Sequence, residues 1–113
     1  MIYVKIKTDK ATQTIELYAE GHAGYAPQGE DIVCSAVSIL CYSLEAYVLC
    51  QPRERFSSIK TERGDGYTLL TVTVKDAQDY ATVSEAITPA RLAFKRLTTE
   101  FPRRIRFFED IPQ

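Results

Sequence analysis

Apolar and polar residues alternate at the start of the chain, with Ile2, Val4 and Ile6 against Tyr3, Lys5 and Lys7. A two-residue period marks a strand with one buried face. A polar turn follows at residues 8–12, and then Ile15, Leu17 and Ala19 alternate with Thr14, Glu16 and Tyr18. These two segments predict a hairpin. The period then lengthens: Val33, Val37, Leu40, Leu44 and Val48 make a stripe at helical spacing over residues 32–50. Gln51-Pro52 stops that helix, because the residue before a proline leaves the helical region. Two strands at residues 56–62 and 67–74 flank the turn signal Gly64-Asp65-Gly66. Val83, Ile87, Ala90, Phe94, Leu97 and Phe101 keep one face over residues 78–100 and across Pro89. Either one kinked helix forms there, or Thr88-Pro89 opens a second helix in series; the unbroken stripe favours one. Residues 104–108 read as a last short strand. The order β-β-α-β-β-α-β predicts an α/β, two-layer sandwich, with two helices packed on one mixed or antiparallel sheet.

The chain has 113 residues, enough for one domain with a real core and too few for two. We take residues 1–113 as that single domain. The net charge of −1 argues against nucleic acid as the main partner, since phosphate binding calls for a basic excess. Two local basic groups remain, Arg103 with Arg104 and Arg106, and Arg53 with Arg55 and Lys60. They read as solvated surface charge, with docking on an RNA-rich assembly as the rival. The opening residues interleave charge and do not resemble a secretory signal. The apolar stretch at 32–50 carries Ser35, Ser38, Ser43 and Glu45, so it reads as a core helix and not a membrane span. Three cysteines without an export signal predict free thiols and a cytoplasmic location.

Between the hairpin and the first helix, residues 21–30 hold Gly21, Gly24, Gly29 and Pro27. A loop this long is a frequent seat of function. It carries His22, the single histidine of the chain. Asp31 is the predicted N-cap, which puts Cys34 in the first helical turn among unpaired backbone N–H groups. The positive end of the helix dipole favours thiolate, the form that attacks a carbonyl. The Cys34 N–H is the natural donor for a developing oxyanion. His22 as general base would complete a cysteine–histidine pair. The plainer alternatives are a core cysteine and a surface histidine. A redox-sensing thiol and a non-catalytic ribosome- or RNA-docking module are the other functional readings. Metal is a poor fit, because Cys34 and Cys41 lie ~10 Å apart along the helix axis. Cys41 and Cys50 read as small buried or half-buried apolar residues. Ser38, one turn after Cys34, either bonds back to the helix or steadies the site. Tyr25 and Pro27 either touch substrate or pack the loop down.

Gly21-His22-Ala23, a spacer containing Gly29, and then Asp31-Ile32-Val33-Cys34, with Ala36 and Ser38 beyond, resemble the signature of the ribosomal-processing cysteine protease family called Prp. The resemblance extends over the whole chain in length and element order. It implies an α/β cytoplasmic homodimer with His22 and Cys34 as the catalytic dyad, supported by Asp31 and by Gly21 and Gly29. It implies a protein substrate, a large-subunit ribosomal protein precursor that loses an N-terminal extension by cleavage after an aromatic residue. Related phage proteins would trim a phage structural protein. No metal or organic cofactor, membrane or nucleic acid is implied. Ser35 departs from the alanine that often follows the cysteine, and the segment Gly24-Tyr25-Ala26-Pro27-Gln28 is variable, so substrate contacts do not carry over there.

Overall fold

The structure, a computed structural model, describes residues 1–110. Its elements are β1 (Ile2–Asp9), β2 (Thr14–Gly21), α1 (Ile32–Cys50), β3 (Phe56–Gly64), β4 (Tyr67–Val74), α2 (Ala77–Ala86), α3 (Thr88–Glu100) and β5 (Ile105–Asp110). The strands form one sheet in the order β3-β4-β2-β1-β5. All neighbours are antiparallel except β1 and β5, which run parallel. The two-layer α/β expectation therefore holds, with the mixed form of the sheet.

The alternation read from the sequence sets which face is buried. Ile2, Val4 and Ile6 of β1 point under the helices, as do Ile15, Leu17 and Ala19 of β2 and Leu70, Val72 and Val74 of β4. The period runs one step further than expected, since Thr8 is also buried and β1 continues to Asp9. The turn is thus tighter than the predicted one, with the Asp9 carboxylate accepting the Ala11 N–H at 2.9 Å. Helix α1 covers the sheet with Val33, Val37, Cys41, Leu44 and Val48. It is long and apolar enough to cross a membrane by composition, yet this stripe is spent on the domain core.

The expected single kinked helix is divided into α2 and α3 at Ile87. Pro89 is the physical reason: it has no N–H to donate backward, and its ring excludes the carbonyl four residues earlier. The apolar stripe is nonetheless continuous, because Tyr80, Val83, Ile87, Ala90 and Phe94 are all buried. Periodicity reports the buried face and does not register a break that preserves it. Arg91 is the buried cation of this layer. It meets Glu109 of β5 at 2.9 Å, and Lys95 meets the same carboxylate at 2.8 Å. Burial opposes ionisation of Glu109, but these two cations outweigh it and hold its carboxyl below the usual range.

Candidate active site

Helix α1 begins where Asp31 stops the loop. One carboxylate oxygen of Asp31 accepts the N–H groups of Val33 and Cys34, both at 3.0 Å. The other accepts those of Tyr25 at 2.9 Å and Ala26 at 3.3 Å. Asp31 is thus both helix cap and loop anchor, and it is only 5% exposed. Burial alone would raise its carboxyl, but the N–H donors of Cys34, Tyr25, Ala26 and Val33 outweigh it and the group is held below its ordinary value. The cap expected at Asp31 is present, and the same carboxylate ties down the loop.

This cap corrects one expectation. The Cys34 N–H is already donated to Asp31, and the Ser35 N–H goes to the Asp31 carbonyl at 3.0 Å. The helix-start amide named as oxyanion donor is therefore not free. A different amide reaches the sulfur: the Ala23 N–H donates to Cys34 Sγ at 3.4 Å. Cys34 is half-buried, and it borders an open groove of about 700 Å³. Gly21, His22, Gly29, Asp31, Cys34 and Ser38, the six residues singled out from the sequence, all line that groove.

His22 follows the last residue of β2. Gly21 there has φ +101, and a side chain on it would strike the Met1 carbonyl. That crossing admits only glycine. The His22 ring rests on the turn between β3 and β4. Its Nε2 lies 3.9 Å from Asp65 Oδ1, and a Cβ built on Gly66 would come within 2.6 Å of the same nitrogen. The Gly21 N–H donates to the Gly66 carbonyl at 2.8 Å and fastens the turn beside it. Among the described residues no hydrogen bond joins His22 to Cys34, although both face one groove. The His22 side chain is 65% exposed, so its ring can turn without disturbing the core.

The loop that was expected to open and close is pinned over its first half. The Met1 nitrogen donates to the His22 carbonyl at 2.6 Å, and Arg104 Nη1 donates to the Gly24 carbonyl at 2.8 Å. Tyr25 packs edge-on against Phe101 at 5.6 Å between ring centres. Tyr25 thus packs the loop down, one of the two roles left open for it. Arg104 is drawn out of the basic group it was assigned to, leaving Arg103 and Arg106 exposed. Ser38 is exposed on the groove wall, and its hydroxyl makes no hydrogen bond among the described residues, so it does not bond back to the helix. Cys41 lies two turns below Cys34 and is buried, and burial pushes its thiol up to about 11. Cys50, expected to be at least half-buried, is exposed at the last helical position, two residues past the buried Val48.

Comparison with known proteins now bears on these features. The family model described as Cysteine protease Prp matches residues 1–106. The chain belongs to the Prp cysteine protease family. It is accordingly a cysteine protease. Among solved structures, it is similar to the essential ribosomal processing protease Prp from S. aureus in complex with a covalently linked product peptide. The TM-score is 0.74 at 16% identity, over 97% of this chain and 100% of that one. The same S. aureus protease with a substrate peptide gives a TM-score of 0.68 at 15% identity, with the same coverage. SMU.848 from Streptococcus mutans gives 0.60 at 23% identity, over 97% of each chain. These likenesses establish the Prp fold. No curated protein matches by sequence.

Sequence reasoning missed two parts of the site. The Asp65-Gly66 turn, read only as a turn, is the seat of the histidine. Arg104 grips the loop from 80 residues away. A glycine beside a charged turn residue was a faint signal for the first, and the sequence holds none for the second.

Proposed function

We propose that this Prp-family protease cuts its substrate with a Cys34–His22 dyad and removes the N-terminal extension of a large-subunit ribosomal protein precursor. The observation that carries the proposal is that both side chains border one groove, with Cys34 Sγ reachable from it and His22 at its rim. The groove is open to solvent, with a volume of about 700 Å³ that can admit a peptide segment. The similar S. aureus structures, of a ribosomal processing protease holding peptides, support the substrate class. A phage structural protein is the variant substrate.

In this reading the bound peptide brings the imidazole over from Asp65 toward the sulfur; catalytic contacts commonly tighten only with substrate in place. His22 takes the Sγ proton and Cys34 attacks the scissile carbonyl carbon. The C–N bond breaks, His22 protonates the leaving amine, and a thioester remains. Water, deprotonated by His22, then attacks the thioester and releases the new carboxylate and the thiol. Asp31 holds the sulfur's backbone in register with the loop throughout.

The protein works as a cytoplasmic homodimer in this proposal. The exposed apolar residues of α1 support the dimer, because Ile32, Ile39 and Leu49 stand open on a helix whose one charged residue is Glu45. Sedimentation at micromolar concentration is expected to give twice the chain mass.

The central test is co-expression with a ribosomal precursor carrying its extension, followed by mass measurement of the product. Wild type is expected to yield the shortened protein and Cys34→Ala only the precursor. Trimming by Cys34→Ala at the wild-type rate would overturn the reading.

A further inference from the structure

We propose that Arg104 is a positioning residue for the reaction. It sets the peptide planes of Ala23 and Gly24 so that loop amides, not the helix start, receive the oxygen of the tetrahedral intermediate. The inference rests on the reading that Cys34 is the nucleophile.

The argument begins with the amides that are already committed. Val33 and Cys34 give their N–H groups to the Asp31 carboxylate, and Ser35 gives its own to the Asp31 carbonyl. An oxyanion would have to displace a buried carboxylate to use them. The loop offers an alternative. The Ala23 N–H already points at the reacting sulfur at 3.4 Å. The next amide, that of Gly24, shares its peptide plane with the Ala23 carbonyl, which accepts from Arg104 Nη1 at 3.4 Å. In a trans peptide the N–H points opposite to the C=O. The Gly24 N–H is therefore turned away from Arg104, and among the described residues it has no protein acceptor. Gly24 itself lines the groove. An amide aimed at the sulfur, followed by an unused one on a residue that lines the same groove, can cradle negative charge.

Arg104 makes this arrangement specific. The peptide plane between Gly24 and Tyr25 is gripped from both sides, its carbonyl by Arg104 at 2.8 Å and its N–H by Asp31 at 2.9 Å. Arg104 is itself fixed where β5 begins, because its carbonyl accepts the Ile2 N–H at 2.8 Å. Its guanidinium also faces the Tyr25 ring at 6.0 Å. A cation tied to the edge of the sheet thus sets the orientation of a glycine-containing loop that would otherwise sample many peptide orientations. Both loop bonds come from one nitrogen, so a lysine ammonium can replace the guanidinium here, unlike at a bidentate site.

The test uses the whole chain with Arg104→Met, which keeps the apolar stem, and Arg104→Lys. Three readouts are taken: kcat and KM for precursor cleavage, the inhibition constant of a peptide aldehyde ending in phenylalaninal, and the rate of Cys34 alkylation by iodoacetamide. The aldehyde adds to Sγ, its C=O becoming a C–O single bond with the thiol proton taken by the oxygen or by His22, so it generates the tetrahedral oxygen. Alkylation displaces iodide and generates none. Arg104→Met is expected to lower kcat at least tenfold with KM within threefold, and to weaken the aldehyde in parallel. Its alkylation rate should stay within twofold, and Arg104→Lys should stay within threefold of wild type throughout. Unchanged kcat in Arg104→Met would overturn the proposal. So would equal losses in alkylation and aldehyde binding, or a lysine variant as impaired as methionine. Should wild type fail to cut the precursor yet bind the aldehyde in an Arg104-dependent way, the substrate assignment falls and this inference stands.

Discussion

Asp31 supplies the most demanding stability prediction, because one carboxylate satisfies four backbone N–H groups. Removing a helix cap costs about 1 kcal/mol. The two part-buried loop donors, Tyr25 and Ala26, each lose their acceptor at about 1–2 kcal/mol. Asp31→Ala is therefore expected to cost roughly 3–5 kcal/mol, a large share of the roughly 5–15 kcal/mol that holds a domain of this size folded. Asp31→Asn keeps one acceptor oxygen for one pair of donors and turns an amide NH₂ toward the other, so about half that loss is expected. Urea unfolding followed by circular dichroism measures both as shifts in midpoint at constant slope. The pH dependence gives a second check. The folded-state carboxyl is held below its ordinary value, so its stabilisation is fully present above the unfolded value near ~4 and is lost as pH falls through the folded one. The gap between wild type and Asp31→Asn should therefore be constant from pH 7 to about 5 and shrink in stronger acid. An Asp31→Ala cost below about 1 kcal/mol, or a gap to Asp31→Asn that ignores pH down to about 2, would refute the reasoning.

Gly66→Ala should lower cleavage several-fold with a stability cost of about 1 kcal/mol, since its methyl would meet the His22 ring and its backbone has φ +67; parallel assays of kcat and urea midpoint check this. Asp65→Asn should change kcat less than about twofold, because a 3.9 Å ion pair between exposed side chains contributes little. Iodoacetamide at pH 8, read by peptide mass mapping, should label Cys34 and Cys50 and spare Cys41, whose buried thiol titrates near 11; rapid Cys41 labelling in the folded protein would contradict its burial. Glu109→Gln should destabilise at pH 7 by about 1–3 kcal/mol, because it leaves the buried Arg91 a neutral acceptor in place of its counter-charge. That loss should fade as acid protonates the wild-type carboxyl through its depressed folded value.

Some of this was legible before any coordinates. The two-residue period of β1 and β2 named the residues that face the core, because alternation and burial are the same physical fact in a strand. The stripe of α1 and its Asp31 cap were equally plain, since capping is a local reaction between a side chain and the amides two and three residues on. Those local rules also placed Cys34 in the first turn and His22 at the end of β2, so the candidate pair could be named from spacing and from the resemblance it carried.

What tertiary structure decided is every contact between segments distant in sequence. The break at Ile87 escaped because Pro89 interrupts backbone bonds without moving the buried stripe. Asp31 turned out to hold the loop as well as the helix, which removed the Cys34 amide from the oxyanion role assigned to it. The seat of His22 on the β3–β4 turn depends on β4 pairing with β2, and Arg104 reaches Gly24 only because β5 lies beside β1. Local propensities act over a few residues and are written in the order of the chain. The geometry around the sulfur comes from strands whose neighbours are chosen by packing, and no spacing along the sequence records that choice.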